Sequence, residues 1–190
     1  MKICLMRHGE TDWNSIGKFQ GREDIPLNKT GAEQIQRTAG YLKKFEWGEI
    51  ITSPLSRAKM SAEIIRKEIG LSEIHEETDF IERDFGKISG MMVADIKINY
   101  HDEDHEGIEG LEHLQDRTIN ALMKCIKTFN GKNIIIITHG AAINSILAKL
   151  SGNKIKMGKA IPGNGEITLL EKQGDAINIV FYNKDESELR

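Results

Sequence analysis

Two nearly continuous apolar runs constrain the fold of this chain more than any other feature. One is Lys2-Ile3-Cys4-Leu5-Met6, and the other is Asn133-Ile134-Ile135-Ile136-Ile137-Thr138. Each has the length of a strand and is apolar on both faces, which is typical of central strands in a parallel sheet that helices cover on each side. We therefore expect a mostly parallel central sheet.

Helical patterns alternate with these strands. A shorter strand, Glu49 to Thr52, precedes Ser53-Pro54, which we interpret as an N-cap followed by proline at the first helical position. The capping box Thr30-Gly31-Ala32-Glu33 predicts a helix from about 31 to 44. Two further amphipathic helical patterns cover residues 111–129 and 142–150.

The C-terminal part shows the alternation of a hairpin, with residues 166–171 and 176–182 on either side of Gln173-Gly174-Asp175. The order of elements predicts an α/β fold: a three-layer sandwich with a mostly parallel central sheet, flanking helices and a C-terminal β-hairpin. Because the chain has 190 residues and no linker rich in Pro, Gly or Ser, we expect residues 1–190 to form a single domain.

Charge and composition argue against several classes of partner. The 26 basic residues stand against 29 acidic ones, for a net charge of -3, and no dense basic block favours nucleic acid. No apolar run approaches the roughly 18 to 20 residues that cross a bilayer, and residues 1–6 are too short for a signal-peptide core. We therefore expect no membrane partner and a cytoplasmic location. Cys4 and Cys125 lie in apolar patterns without a CxxC, which predicts buried thiols rather than a disulfide or a zinc site.

A histidine follows each long apolar strand. His8 stands in Met6-Arg7-His8-Gly9, and His139 stands in Thr138-His139-Gly140. Ligands of open α/β sheets bind outside the carboxyl ends of the strands, so neighbouring strands would bring both imidazoles to one site. The glycines let backbone N–H groups approach an anion, which favours phosphate. The histidines of the stretch 101–106 lack a fixed ligand spacing, and we interpret that stretch as a solvated loop and not as a metal site.

An ordered set of motifs resembles the histidine phosphatase superfamily, also called the phosphoglycerate mutase-like family. The resemblance spans roughly residues 1–147 and begins at Arg7-His8-Gly9-Glu10-Thr11 with Trp13-Asn14. The motifs that follow, in the order of the family, are Phe19-Gln20-Gly21, Pro26-Leu27-Asn28 with Gly31, Ser53-Pro54-Leu55-Ser56-Arg57-Ala58, Glu82 with Phe85-Gly86, Glu109, and Thr138-His139-Gly140.

The resemblance implies a role for each matched residue. His8 would be the nucleophile and carry the phosphoryl group, while Glu82 would protonate the departing oxygen and later take a proton from water. Arg7, Arg57 and His139 would hold the phosphoryl oxygens, and no metal or other cofactor would be needed. The implied substrate-binding residues are Arg7, Asn14, Gln20, Gly21, Arg57, Glu82, His139 and Gly140.

Two motifs depart from the pattern of the family. Many of its phosphatases have Trp-Glu-Gly where this chain has Ile88-Ser89-Gly90, and the family's Gly-Glu-Ser reads Ile108-Glu109-Gly110 here. The stretch around Phe85 is also similar to that of cofactor-dependent phosphoglycerate mutases. Those mutases usually cover the site with a basic insertion, whereas residues 91–110 are short here and acidic toward their end. We expect a short helix around Met92 to Ile98 and little length for a lid.

The resemblance therefore implies a metal-independent phosphatase that hydrolyses phosphate monoesters of small metabolites through a phosphohistidine on His8. One alternative is a cofactor-dependent phosphoglycerate mutase, and another is a non-catalytic regulatory domain that binds a phosphate ligand. The expected partner is a small phosphorylated metabolite. The sequence leaves the oligomeric state open, a homodimer included.

Overall fold

A computed structural model describes residues 1–99 and 107–189 and is built on a six-stranded sheet of order β3-β2-β4-β1-β5-β6. The strands are β1 Lys2–Arg7, β2 Glu49–Thr52, β3 His75–Glu76, β4 Ile134–Thr138, β5 Ile167–Gln173 and β6 Ala176–Lys184. The helices are α1 Asp12–Ser15, α2 Lys29–Leu42, α3 Ser56–Ile69, α4 Val93–Asn99, α5 Leu111–Thr128 and α6 Gly140–Leu150, and two short 3-10 helices cover Thr78–Phe80 and Gly86–Ile88.

The predicted α/β sandwich is confirmed, including its hairpin. Strands β1 to β4 pair parallel with one another, while β5 pairs antiparallel with β1 and with β6. Alternate residues of β1 face opposite helical layers: Ile3 and Leu5 pack with α5 and α6, and Cys4 and Met6 pack with α2 and α3. This two-sided burial is the reason that β1 reads as a continuous apolar run. Cys4 and Cys125 are free and buried, as predicted.

The start of α2 differs from the prediction. The helix begins at Lys29, because the side chain of Asn28 accepts a hydrogen bond from the Gly31 amide at 2.8 Å and acts as the N-cap. The predicted capping box at Thr30 is therefore wrong. Asn28 occupies the β region that an N-cap requires, whereas Thr30 already lies inside the helix.

The start of α3 also differs. The helix begins at Ser56 after Leu55, which gives no side-chain cap, so the predicted N-cap at Ser53 is wrong. The carboxylate of Asp24, from a distant loop, accepts hydrogen bonds from the Ser56 amide at 2.6 Å and from the Ser56 hydroxyl at 2.7 Å. The carboxylate of Asp24 thus caps the helix in place of a local side chain. Pro54 lies in the bend before the helix.

The helices α4, α5 and α6 occupy the predicted stretches. Among the described residues, no helix combines the length and the apolar character that crossing a bilayer requires.

Candidate active site

The pairing of β1 with β4 brings the two strand-end histidines together. Arg7 and Thr138 are register partners at the ends of the two strands, and the next amide, that of His8, donates to the Thr138 carbonyl at 3.0 Å. The rings of His8 and His139 follow, with their centroids 5.1 Å apart. Both histidines are buried. The expectation that these imidazoles share one site is met by the geometry.

The hydrogen bonds of His8 define the state of its ring. Nδ1 contacts the Gly9 carbonyl at 2.7 Å, and a carbonyl only accepts, so Nδ1 carries a proton. Nε2 then accepts from Nε of Arg57 at 3.2 Å through its lone pair. Burial lowers the pKa of His8 well below its usual value, and the charges of Arg7 and Arg57 lower it further. The imidazole is therefore neutral, with a nucleophilic Nε2.

Two guanidinium groups, those of the buried Arg57 and the half-buried Arg7, flank His8. Arg57, in the first turn of α3, donates to the carbonyls of Glu23 at 2.6 Å and Gly21 at 2.8 Å, and burial lowers its pKa to about 10. Arg7, the last residue of β1, donates through Nη1 to the Pro162 carbonyl at 2.6 Å. Its Nε is buried without a hydrogen-bond partner among the described residues. Fixed positive charge of this kind favours a tetrahedral anion beside Nε2.

Glu82 reaches the same site from the irregular segment between the two 3-10 helices. One carboxylate oxygen accepts from the Arg83 amide at 2.8 Å, and the other accepts from the Ala141 amide at 3.3 Å. Ala141 lies in the first turn of α6, where the helix presents unpaired N–H groups. The start of α6 and the amide that follows Glu82 thus orient this carboxylate.

His139 makes a contact that the sequence analysis did not anticipate. Its Nε2 lies 2.7 Å from Oγ of Ser53, while its Nδ1 is buried without a hydrogen-bond partner among the described residues. Burial lowers the pKa of His139 well below its usual value, and the charges of Arg57, His8 and Arg7 act in the same direction. Ser53 directly follows β2, the parallel neighbour of β4. Its place at a strand end was the sequence signal that could have identified it.

The loop after β1 supplies the predicted polar residues. Asn14 and Thr11 cap each other at the start of α1, and the hydroxyl of Thr11 donates to Gln20 at 2.9 Å. The amide of Asn164, a residue that sequence reasoning missed, donates to the His8 carbonyl at 3.1 Å and to Asn14 at 3.2 Å. These bonds hold the loop against the end of β1.

A cavity of about 260 Å³ opens over His8. It is lined by Arg7, His8, Asn14, Gly17, Lys18, Phe19, Gln20, Gly21, Arg57, Glu82, Phe85, Val93, Gly140, Ala141 and Ile161. The lining includes every predicted site residue except His139, which is fully buried against the ring of His8. The apolar wall of the cavity consists of Phe19, Phe85, Val93 and Ile161. It was not predicted from the sequence.

Among the described residues, no group of three or more His, Cys, Asp or Glu side chains could hold a metal ion. The stretch 101–106, which we interpret as a solvated acidic loop, lies outside the residues that the structure describes.

Comparison with known proteins identifies relatives of this chain. The uncharacterized phosphatase PhoE of Bacillus subtilis is 41% identical over 181 residues, which cover 95% of this chain and 93% of that protein. The metal-independent phosphoserine phosphatase of Arabidopsis thaliana is 31% identical over 79% of this chain and 68% of its own length. The phosphoglycerate mutase-like protein 4 of the same plant is 33% identical over 82% of this chain and 74% of its own length.

Solved structures share the fold. A phosphoserine phosphatase mutant of Entamoeba histolytica, in complex with phosphoserine, superposes with a TM-score of 0.85 at 27% identity and covers 97% of this chain and 98% of its own. The mycobacterial glucosyl-3-phosphoglycerate phosphatase gives a TM-score of 0.88 at 22% identity, covering 97% of this chain and 99% of its own, which shows likeness of fold alone. The phosphatases among these relatives support a hydrolase activity for this chain. Residues 3–185 match the family model described as histidine phosphatase superfamily (branch 1), and the chain therefore belongs to this superfamily.

Proposed function

We propose that this protein is a metal-independent phosphatase that hydrolyses monoesters of small phosphorylated metabolites through a phosphohistidine on His8. The state of the His8 ring is the observation that carries the proposal. Nδ1 is held as a donor by the Gly9 carbonyl, and Nε2 presents a lone pair between two guanidinium groups. A neutral imidazole next to an anion-binding pocket is what attack on a phosphate monoester requires.

In the first step, Nε2 of His8 attacks phosphorus, and the bond from phosphorus to the ester oxygen breaks. Arg7 and Arg57 stabilise the charge on the equatorial oxygens, so that positioning and electrostatics supply most of the catalysis. Glu82, in its protonated form, gives its proton to the departing oxygen, and the alcohol leaves.

In the second step, the carboxylate of Glu82 takes a proton from water, and the water oxygen attacks the phosphoryl group. The bond between phosphorus and Nε2 breaks, inorganic phosphate leaves, and both His8 and Glu82 return to their starting states. No external co-reactant other than water enters this cycle.

The remaining lining residues bind the substrate. Asn14 and Gln20 line the cavity, and Gly140 begins α6, whose N-terminus favours negative charge. A side chain at position 140 would lie 2.8 Å from Ile161, so that glycine keeps this wall close to Arg7. The apolar wall then accepts the organic part of the ester.

Trapping the intermediate tests the proposal. Wild type quenched during turnover of p-nitrophenyl phosphate with radiolabelled phosphorus should retain label that is stable to base and lost in acid. His8→Ala should retain no label and show no turnover, while its far-ultraviolet circular dichroism stays unchanged. His75→Ala, which alters a histidine bonded to Glu49 outside the cavity, is the matched control and should behave like wild type. Normal turnover by His8→Ala would refute the proposal.

The mutase alternative makes a different prediction. Besides Arg7 and Arg57, the lysine or arginine found among the described lining residues is Lys18, whose Nζ lies 4.7 Å from the ring centroid of Trp13. A bisphosphate needs more cationic partners than this. We therefore expect 2,3-bisphosphoglycerate to leave turnover unstimulated. Interconversion of 2- and 3-phosphoglycerate that requires this primer would favour the mutase.

A further inference from the structure

A buried arginine holds the backbone that carries Glu82. Arg117 lies on α5 and is buried. Its Nη1 donates to the carbonyls of Asp79 at 2.6 Å and Ile81 at 2.7 Å, and its Nη2 donates to the carbonyl of Glu82 itself at 3.1 Å. One guanidinium group therefore fixes three carbonyls within residues 79–82, the last of which is that of the candidate acid itself.

Glu109 completes this arrangement from the other side. Its two carboxylate oxygens accept from Nε and Nη2 of Arg117 at 2.7 and 2.8 Å, which is a bidentate pair. The same carboxylate accepts from the Asp84 amide at 3.3 Å, and the Glu109 amide donates to the Asp84 carbonyl at 2.9 Å. The pair thus forms hydrogen bonds with the backbone on both sides of Glu82, through Arg117 to Ile81 and through Glu109 to Asp84. Burial alone would raise the pKa of Glu109, but the hydrogen bonds and charge of Arg117 lower it to about 2, so the pair stays ionised at neutral pH.

Residues 81–85, the segment that carries Glu82, belong to neither of the flanking 3-10 helices. Among the described residues, their pairing with another stretch of backbone is limited to the isolated bridge between Phe85 and Ile108 and to the bond from the Glu109 amide to the Asp84 carbonyl. Among the described residues, the carboxylate of Glu82 has two hydrogen bonds, one from the amide of the next residue and one of 3.3 Å from the Ala141 amide. The orientation of the Glu82 carboxylate toward the ester oxygen therefore depends on the position of the backbone. Misplacement of a catalytic group by about 1 Å can cost on the order of 100-fold in rate.

We infer that the pair formed by Arg117 and Glu109 is a positioning device for proton transfer by Glu82. The inference rests on the proposed function, in which Glu82 is the acid and then the base. Neither Arg117 nor Glu109 lines the cavity, so neither is a catalytic residue. They act through the backbone of Glu82, and α5 serves as the rigid element that transmits the position.

Leaving-group dependence distinguishes positioning from a merely structural role. A p-nitrophenolate departs without a proton, whereas the alkoxide of an alkyl ester such as glycerol 1-phosphate needs one. The value of kcat/KM reports the step in which the leaving group departs, whereas hydrolysis of the phosphoenzyme is common to both esters. A general acid contributes about 100- to 10,000-fold, so a displaced Glu82 should affect the alkyl ester selectively.

The experiment measures kcat/KM on both esters for wild type, Arg117→Lys and Glu109→Gln. Each substitution keeps a polar side chain of similar size but breaks the bidentate pair. We expect kcat/KM to fall by about tenfold or more on glycerol 1-phosphate and by less than about threefold on p-nitrophenyl phosphate. Lys124→Met is the matched control. It removes an exposed ion pair, also from α5, to Glu77 at 2.6 Å, and should leave the ratio of the two values unchanged.

A double-substitution cycle connects the pair to Glu82. In a Glu82→Gln background, Arg117→Lys should cause no further loss on the alkyl ester, because the group that it positions is gone. Retained turnover of p-nitrophenyl phosphate shows that each variant is folded. If a single substitution unfolds the protein, Arg117→Met with Glu109→Leu removes both charges together and serves as the second variant.

The outcomes separate the inference from the proposed function. Equal losses on both esters, or no loss on either, in Arg117→Lys and Glu109→Gln would overturn the inference while leaving the role of Glu82 intact. If Glu82→Gln itself cleaved both esters like wild type, the assignment of Glu82 as the general acid in the proposed function would be refuted.

Discussion

At the scale of single residues, the contact between Ser53 and His139 couples a hydroxyl to the tautomer of the ring. Oγ of Ser53 accepts from the Leu55 amide at 3.4 Å and lies 2.7 Å from Nε2 of His139. We expect the hydroxyl to donate to Nε2, which leaves the proton of a neutral ring on Nδ1, the nitrogen that lacks a partner among the described residues.

We predict that Ser53→Ala shifts this tautomer balance and lowers kcat/KM by about tenfold, the usual effect of losing one buried hydrogen bond. The tautomer is read from nitrogen chemical shifts of labelled histidine. Ser145→Ala is the control, since that buried hydroxyl bonds Thr118 at 2.8 Å where α5 meets α6. An unchanged tautomer together with unchanged kcat/KM in Ser53→Ala would refute this account.

A second prediction concerns the fork of Arg57. Its Nε, Nη1 and Nη2 donate to three different acceptors, namely Nε2 of His8 and two carbonyls of the loop at residues 21–23. An ammonium group cannot span three such directions. Arg57→Lys should therefore keep only part of the activity, and Arg57→Ala should lose a few kcal/mol of transition-state stabilisation, about 100-fold or more in kcat/KM. Equal kcat/KM for the three proteins would exclude Arg57 from the site.

The sequence predicted the residues whose place follows from strand order or motif, and missed those defined by distant contacts. His8 and His139 were predictable because each ends an apolar strand. Arg117 appears in the sequence only as one polar position on an amphipathic helix. Its importance comes from carbonyls about 35 residues away, Ile81 and Glu82 among them, and no local pattern encodes such a contact.

At the scale of elements, α2 packs its first turn directly on the chain that leaves β1. A Cβ placed on Gly31 would collide with the backbone of Glu10, and a Cβ placed on Gly9 would collide with the Gly31 carbonyl. These two glycines let the helix approach the turn that carries His8. The requirement is one of space, because neither glycine has a positive φ angle.

We predict opposite effects for two alanine substitutions on α2. Gly31→Ala should destabilise the protein by about 1–3 kcal/mol through overpacking and should also lower kcat, because the turn after His8 must move. Gly40→Ala meets no atom within 4 Å and should stabilise the helix by about 0.5–1 kcal/mol. Urea unfolding measures both values. A Gly31→Ala protein as stable and as active as Gly40→Ala would show that the close approach is unimportant.

The helix starts show how far local patterns can predict an element. The existence of α2 and α3 follows from apolar residues at helical spacing, and this was predicted. Their first residues were not, because a local serine or threonine competes with better partners. Asn28 caps α2 before Thr30 can, and Asp24 caps α3 from a loop about 30 residues away. Ser53 is instead bonded to His139.

At the scale of the whole molecule, the sheet order decides which strand ends share the site. Burial of β1 and β4 on both faces was evident from their apolar runs, whereas the order β3-β2-β4-β1-β5-β6 depends on pairing between strands far apart in sequence, such as β1 with β4. The two-residue strand β3 carries no periodic signal and was not predicted. The central pair β1 and β4 places two histidines, neutral and buried, between cationic neighbours.

Burial of these histidines couples the stability of the whole protein to pH. The pKa values of His8 and His139 are lowered in the folded state, chiefly by burial, so below about pH 6.5 the unfolded chain binds protons that the folded protein does not. Stability is then fully present above pH 6.5 and is lost as pH falls from there toward the folded pKa values. The lowered pKa of Glu109, about 2, removes stability only below about pH 4.5. Between pH 6.5 and 5, the change in the free energy of unfolding therefore reports protonation of the two histidines and not of Glu109.

We predict that the free energy of unfolding falls between pH 6.5 and 5, with a slope approaching about 1.4 kcal/mol per pH unit for each of the two histidines. Urea unfolding at several pH values gives the slope directly. His139→Gln should reduce it by about half, whatever its effect on stability at pH 7.5, because only His8 then gains a proton on unfolding within this site. The slope, unlike the absolute stability, is insensitive to packing defects that the substitution introduces. If wild type and His139→Gln lost stability at the same rate over this interval, protonation of His139 would not be linked to unfolding, and the two rings could not both be buried and neutral beside Arg7 and Arg57.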